Sequence, residues 1–319
     1  MMGFNAEHKL AFRNQGYFVK KGIYRPEDLQ PMKDAIARII EREAQRLHGE
    51  GELHDICADQ PFSKRLSEIH RRNREAGTKI YHCILGKAGG GFSGQEMLNF
   101  IRHQPLIDCI QDLIGPDIIG SSVYRIRPKL PHMGHGEVPW HQDSGYLLSH
   151  CDRFLIVTCW IPLVDVTVTN GCLHVLPGCH RDGILRHCTG GPSDYLVIPD
   201  DALPDLKPIP VEMTAGDVLF LTNMTPHASF TNSTDSIRWS LDVRYQAMDI
   251  PNNVDEQPAD ITPDRPTITI ACLPTEADFV IRDTKHPERE IRSAEQFHDI
   301  RQRFETTRPY FPDRDWPPV

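Results

Sequence analysis

The chain has 319 residues, 39% hydrophobic and 25% charged, with a formal net charge of −9. That length supports a sizeable core, and scattered lysines and arginines in an acidic chain make nucleic acid a poor partner. No apolar run reaches the length of a membrane span, and Met1-Met2-Gly3-Phe4 begins no basic-then-apolar leader. A cytoplasmic protein acting on a small molecule, with no membrane partner, is expected. Nine cysteines, an odd number in a long chain, fit reduced thiols in that compartment.

Residues 1–115 read as mainly helical. Tyr17-Phe18-Val19 is a short strand, and Pro26 opens a helix with Leu29, Met32, Ile36, Ile39, Ile40 and Leu47 at helical spacing. Residues 49–100 are less regular. Gly89-Gly90-Gly91 follows Lys87 without the Gly-Lys-Ser/Thr of a phosphate loop, so a flexible loop is the plain reading. With Tyr81 and His82, residues 87–95 are a candidate lid.

From 116 to 250 the texture changes to short strands punctuated by Gly, Pro and Asn. Ile118 through Ile126, Phe154 through Ile161, Cys172 through Leu176, Asp217 through Leu221 and Arg238 through Tyr245 each read as β, and Asn170-Gly171 as a tight turn. Short strands at close spacing favour a sandwich or barrel over a parallel α/β sheet. Residues 251–319 read as loop followed by one polar helix around Ala294–Glu305. No internal repeat is present, and one domain over 1–319 is expected.

The chemistry sits in Val138-Pro139-Trp140-His141-Gln142-Asp143. In extended backbone His141 and Asp143 share a face while Gln142 points away. Alone, such a pair is more often a hydrogen-bonded turn. His227, just after the apolar segment 217–221, offers a third ligand, and two histidines with one carboxylate mark non-haem Fe(II) oxygenases. Arg238 opens the alternating stretch Arg238–Tyr245, and a turn between antiparallel strands would face it toward the same interior as His227. Its planar fork suits a dicarboxylate cosubstrate, and Ser229 would add a hydroxyl on His227's face. Arg125, Arg127 and Lys129 line a strand upstream. Two solvated charges are the default there, with Arg125 the candidate for a cosubstrate or substrate contact. Trp140 and Trp160 read as core.

In their order and surroundings these residues resemble the phytanoyl-CoA dioxygenase family. Val138–Asp143, Asn170-Gly171-Cys172-Leu173 with Pro177-Gly178-Cys179-His180, and Ala215-Gly216-Asp217-Val218 carry the resemblance, which spans roughly residues 10–250. It implies a mainly β fold with flanking helices around a double-stranded β-helix (jelly-roll) core. It also implies Fe(II), 2-oxoglutarate as cosubstrate, and O2. By the same resemblance His141, Asp143 and His227 hold the metal, and Arg238 with Ser229 holds the far carboxylate of 2-oxoglutarate. Thr169 departs from the acidic residue many members carry, at a structural position. The carboxylate of Asp143 favours hydroxylation over halogenation, since related halogenases carry a small residue there. Arg244 is left as either a buried salt-bridge partner or a substrate anchor.

Three readings rival this one: structural zinc on Cys172, His174, Cys179, His180, His187 and Cys188; a metal hydrolase; and a non-catalytic jelly-roll binding module. The first fits no standard zinc spacing. A hydrolase has no need of Arg238 and Ser229, and a degenerate module would not keep His141, Asp143, His227 and Arg238 together. With no basic cluster suited to coenzyme A phosphates, the expected substrate is a small metabolite or natural-product intermediate.

Overall fold

The segment Arg238–Tyr245 alternates polar and apolar residues, so as a strand it presents two unlike faces. The structure is a computed structural model and describes residues 3–85, 92–121, 124–133, 136–147, 149–192, 195–250, 278–306 and 314–319. The strands are β1 (Tyr17–Lys20), β2 (Ile118–Gly120), β3 (Arg125–Lys129), β4 (Val138–His141), β5 (Ile156–Pro162) and β6 (Leu173–Val175). They continue with β7 (Ile209–Val211), β8 (Val218–Thr222), β9 (His227–Ser229), β10 (Arg238–Ala247) and β11 (Phe279–Arg282). One sheet runs β1-β8-β5-β10-β2-β11, with β3 also on β10; the other runs β4-β9-β6-β7. Every pairing between these strands is antiparallel.

On β10, Trp239, Leu241, Val243 and Tyr245 join Val157, Cys159 and Ile161 of β5 in a core shared with the helices. Arg238, Ser240, Asp242 and Arg244 take the opposite face. There they oppose Lys129, Arg127 and Arg125 of β3, and Trp160 and Thr158 of β5. That second face meets the smaller sheet across a separate apolar cluster containing Trp160, Cys172, Leu173, Val175, Leu219 and Leu221.

Helices cover the outer face of the larger sheet: α1 (Ala6–Gln15), α2 (Pro26–Gly49), α3 (Arg65–Arg72), α4 (Arg74–Leu85), α5 (Gln95–Ile101) and α6 (Gln104–Ile114), with α7 (Ala294–Thr306) near the C-terminus. All six apolar positions named for α2 are buried. The irregular reading of 49–100 gives way to α3, α4 and α5. Gly77 interrupts the apolar period, but a Cβ there would sit 2.4 Å from His70 Cα, so glycine is what lets α4 pass α3. Among the described residues no helix is long and apolar enough to cross a membrane.

The stretch 118–126 is split between β2 and β3, and β7 and β11 escaped the strand pattern. Much of 248–275, and the glycine run with Lys87, lie outside the described residues. Asn170-Gly171 forms its turn: Asn170 bonds Thr167 N at 2.9 Å and Asp165 O at 2.9 Å. Gly171 has φ +83°, and a Cβ there would meet Phe230 O at 2.6 Å. Thr169 holds this turn through its carbonyl, which accepts from Ser233 N at 2.9 Å.

Candidate metal centre and cosubstrate pocket

His141 ends β4 directly opposite His227 on β9, with ring centroids 4.2 Å apart. Each imidazole places Nδ1 against the carbonyl two residues back, Pro139 at 2.8 Å and Thr225 at 3.0 Å. With Nδ1 donating, the Nε2 lone pairs stay available to a metal. Strand pairing stops at His141, so Asp143 is not a strand residue; it begins a 3-10 turn, Asp143–Tyr146. Gln142 keeps an extended backbone (φ −108°, ψ 141°), which carries the alternation one step further. Asp143 Oδ1 therefore lies 3.9 Å from His141 Nε2. One ligand atom from each of His141, Asp143 and His227 falls within 4.8 Å of the others, and all three residues are buried. Among the described residues this is the one such group, and the cysteine–histidine span of 172–188 forms none.

Gln142, pointing away, locks this corner. Its amide donates to Gly183 O at 3.0 Å and Met224 O at 2.7 Å and accepts from Leu185 N at 2.8 Å. Its backbone N–H donates to His187 Nε2 at 3.0 Å. Substituting Gln142→Ala strands these buried groups and is expected to lower unfolding free energy by about 2–4 kcal/mol, read from the urea midpoint.

His187 must stay neutral to accept that bond, and burial pushes it down to about 4 from 6.5. Its contribution is complete above the unfolded value. As pH falls toward 4 the unfolded chain binds a proton that the folded chain refuses, and stability is lost. Burial, reinforced by His227, likewise pushes His141 down to about 3. Metal-free protein should therefore show urea midpoints that drop between about pH 6.5 and 4, with a shallower drop in His187→Asn. An identical slope in that variant contradicts the assignment.

Asp143 is enclosed by donors. Arg244 Nε reaches Oδ2 at 3.2 Å and Nη2 reaches Oδ1 at 3.0 Å, and the Thr158 hydroxyl donates to Oδ2. Burial opposes ionisation here, but Arg244 and the two imidazoles override it and hold the carboxyl well below its usual range. Arg244 Nη1 also bonds Asp242 Oδ2 at 3.1 Å. Asp242 is paired with Arg127, whose Nη1 donates to Tyr195 OH at 3.2 Å. The alternative of Arg244 as a salt-bridge partner is the arrangement present.

Arg238 is different. It is 2% exposed, and among the described residues no carboxylate lies within ion-pair distance of it. Nη2 donates to Ser229 Oγ at 3.3 Å, Nη1 to the Ser240 hydroxyl, and Nε has no hydrogen-bond partner. Its guanidinium lies 5.2 Å from the Trp160 ring centroid. Burial, with Arg127 nearby, pushes it down to about 9. Arg238 and His227 come from strands in different sheets, not from one hairpin as the sequence suggested: the chain crosses between sheets over 230–237, and the two residues face each other across the interior.

A pocket open to solvent runs from His141 and His227 to Ser229 and Arg238, walled by Trp160 and Arg127 among others. The expectation for β3 needs correction. Arg127, not Arg125, lines this cavity, and Arg125 Nη1 instead donates to Tyr124 O at 2.8 Å. Arg125 and Arg127 are half-buried rather than fully solvated. Lys129 is 2% exposed against the Phe230 carbonyl, and burial beside Arg238 pushes it down to about 6. Trp160 is both core and cavity wall, whereas Trp140 stays half-buried against Phe230. Tyr81 is buried, and burial pushes it up to about 12.

Two imidazoles and one carboxylate, with no thiolate in the group, suit Fe(II), and the unpaired Arg238 suits a carboxylate, so the residues present fit both groups. Residues 12–240 match the family profile of phytanoyl-CoA dioxygenase (PhyH). The chain belongs to the phytanoyl-CoA dioxygenase family. Like that family it is an iron- and 2-oxoglutarate-dependent dioxygenase, with O2 as co-reactant.

The family member phytanoyl-CoA dioxygenase domain-containing protein 1 of Danio rerio is 26% identical over 260 residues, which is 71% of this chain and 84% of that protein. The fold is shared with apo ThoJ, a non-haem monooxygenase, at a TM-score of 0.57 and 17% identity over 94% of this chain and 98% of that one. It is shared too with the epimerase SnoN, solved with Fe3+, α-ketoglutarate and nogalamycin RO, at a TM-score of 0.53 and 18% identity over 86% and 98%.

The sequence reading assigned no role of this kind to Thr158, Asp242, Gln142 or His187. Only Asp242 carried a visible signal, being a charge placed at i+4 from Arg238 on the polar face of an alternating strand.

Proposed function

We propose that this dioxygenase hydroxylates an unactivated C–H bond of a small metabolite or natural-product intermediate. One oxygen atom of O2 goes to the substrate and the other to succinate, and CO2 is released from 2-oxoglutarate. The observation that carries this reading is Arg238, a buried cation with an unused Nε and no carboxylate partner, at the end of a cavity whose other end is the His141, Asp143, His227 group. A buried guanidinium without an anion is costly, and a dicarboxylate whose near end reaches the metal supplies one.

In this reading His141, Asp143 and His227 hold iron, which supplies dioxygen activation when bound. Arg238 and Ser229 orient the far carboxylate of the cosubstrate, and Trp160, Leu173 and Leu221 keep water from its methylenes. Arg127, held by Tyr195 OH, offers a polar contact at the cavity wall. Asp143 supports oxygen rather than halogen transfer, because its carboxylate takes the position a halide would need. SnoN, which has this fold and was solved with nogalamycin RO, supports a substrate of that class.

The test is a substrate panel scored by substrate-stimulated succinate release together with mass gain of one oxygen in the product. His141→Ala serves as the blank. Substrate-dependent succinate without an oxygenated product moves the outcome to desaturation or ring formation. Activity surviving in the blank contradicts the metal assignment.

A further inference from the structure

Asp143 belongs to the reaction centre, yet most of its hydrogen-bonding capacity is already used by the protein. A carboxylate presents about four lone-pair sites. Oδ2 accepts from Arg244 Nε at 3.2 Å and from the Thr158 hydroxyl, so both of its sites are filled. Oδ1 accepts from Arg244 Nη2 at 3.0 Å and retains one site, and Oδ1 is the oxygen 3.9 Å from His141 Nε2. The two donors are a cross-strand pair: Arg244 on β10 is directly opposite Thr158 on β5. Arg244 is itself held by Asp242, through Nη1 at 3.1 Å, and Asp242 is held by Arg127.

We propose that Arg244 is a positioning residue that restricts Asp143 to one donor oxygen, so that the carboxylate occupies a single coordination position on iron. The remaining open positions are then kept for 2-oxoglutarate and dioxygen. This rests on the reading that His141, Asp143 and His227 hold the metal. Without the guanidinium, Oδ2 regains a lone pair and the carboxylate is free to chelate through both oxygens. A half-buried positive charge also leaves the neighbourhood of a dication. Both changes favour the metal, while the lost coordination position disfavours the cosubstrate. The two affinities therefore move in opposite directions, which a merely structural role for Arg244 does not produce.

The experiment uses the full chain without oxygen: Co(II) titration for metal affinity, then 2-oxoglutarate titration at saturating Co(II). In Arg244→Met, Co(II) is expected to bind about tenfold tighter and 2-oxoglutarate about tenfold more weakly, the metal change being opposite in sign to the loss of about tenfold or more usual when a residue that orients a metal ligand is removed. Thr158→Val frees one site on Oδ2 without changing charge, and keeps the test available should Arg244→Met fail to fold. It is expected to weaken 2-oxoglutarate binding by a smaller factor with no loss of Co(II) affinity. Wild-type binding of both ligands, combined with unchanged affinities in the variants or a parallel loss of both, overturns the role of Arg244 alone. No Co(II) binding by the wild type overturns the site reading and this inference together.

Discussion

Replacing Arg238 with methionine is expected to stabilise the cosubstrate-free protein while abolishing its response to 2-oxoglutarate. The guanidinium is buried, its Nε is unpaired, and burial pushes its pKa down to about 9. An apolar side chain of similar length removes that desolvation penalty and keeps contact with Trp160. A gain of about 1–3 kcal/mol is expected, because the hydroxyls of Ser229 and Ser240 retain other options while a buried charge does not. The same substitution removes the charged half of a buried pair in the complex. That loss is worth about 2–5 kcal/mol, or roughly one and a half to three and a half orders of magnitude in Kd. In wild type, 2-oxoglutarate at a hundredfold excess over Kd should raise unfolding free energy by about 2.7 kcal/mol in the presence of metal. Arg238→Met should show no such increase. Destabilisation of the free variant, or a retained cosubstrate shift, contradicts the assignment.

Asp143→Ala and His227→Ala are both expected to eliminate metal-dependent turnover, yet to differ in stability. His227 bonds only the Thr225 carbonyl, so its loss chiefly opens space in a cavity. Asp143 neutralises Arg244, and its removal takes away the carboxylate that the largely enclosed guanidinium grips with two nitrogens, while Asp242 is shared with Arg127. Breaking one side of such a pair costs about 3–5 kcal/mol. Urea midpoints of the two metal-free variants should therefore separate clearly, with Asp143→Ala lower. Equal midpoints would mean that the Arg244 pair contributes nothing to the fold.

What the sequence made legible follows from periodicity. Arg238–Tyr245 reads as a strand because its alternation is complete, and pairing with β3 over 238–242 and with β5 over 240–246 preserves that pattern. His141 with Asp143 reads as a same-face pair because Gln142 is extended, even though the ladder ends at His141. Arg125 and Arg127 share one face of β3, so alternation cannot separate them; what does is the depth of the cavity along that strand. Thr158 and Gln142 were not legible because their roles depend on partners 15 to 82 residues distant in sequence, brought close only by the packing of two sheets. For the same reason a hairpin was inferred for His227 and Arg238 where the chain instead crosses between sheets. Short helices such as α4, with Gly77 at a crossing, lose the apolar period on which helix recognition depends.

The most direct test of the site is anaerobic addition of Fe(II) and 2-oxoglutarate to the purified chain, followed by visible absorption. A charge-transfer band that needs both additions and saturates at one equivalent of Fe(II) is expected, because in the proposed site the cosubstrate would reach the metal and Arg238 at once. The band should vanish in His227→Ala and require far more 2-oxoglutarate in Arg238→Met. No band in the wild type, or an undiminished band in His227→Ala, would contradict the placement of iron and 2-oxoglutarate in this cavity.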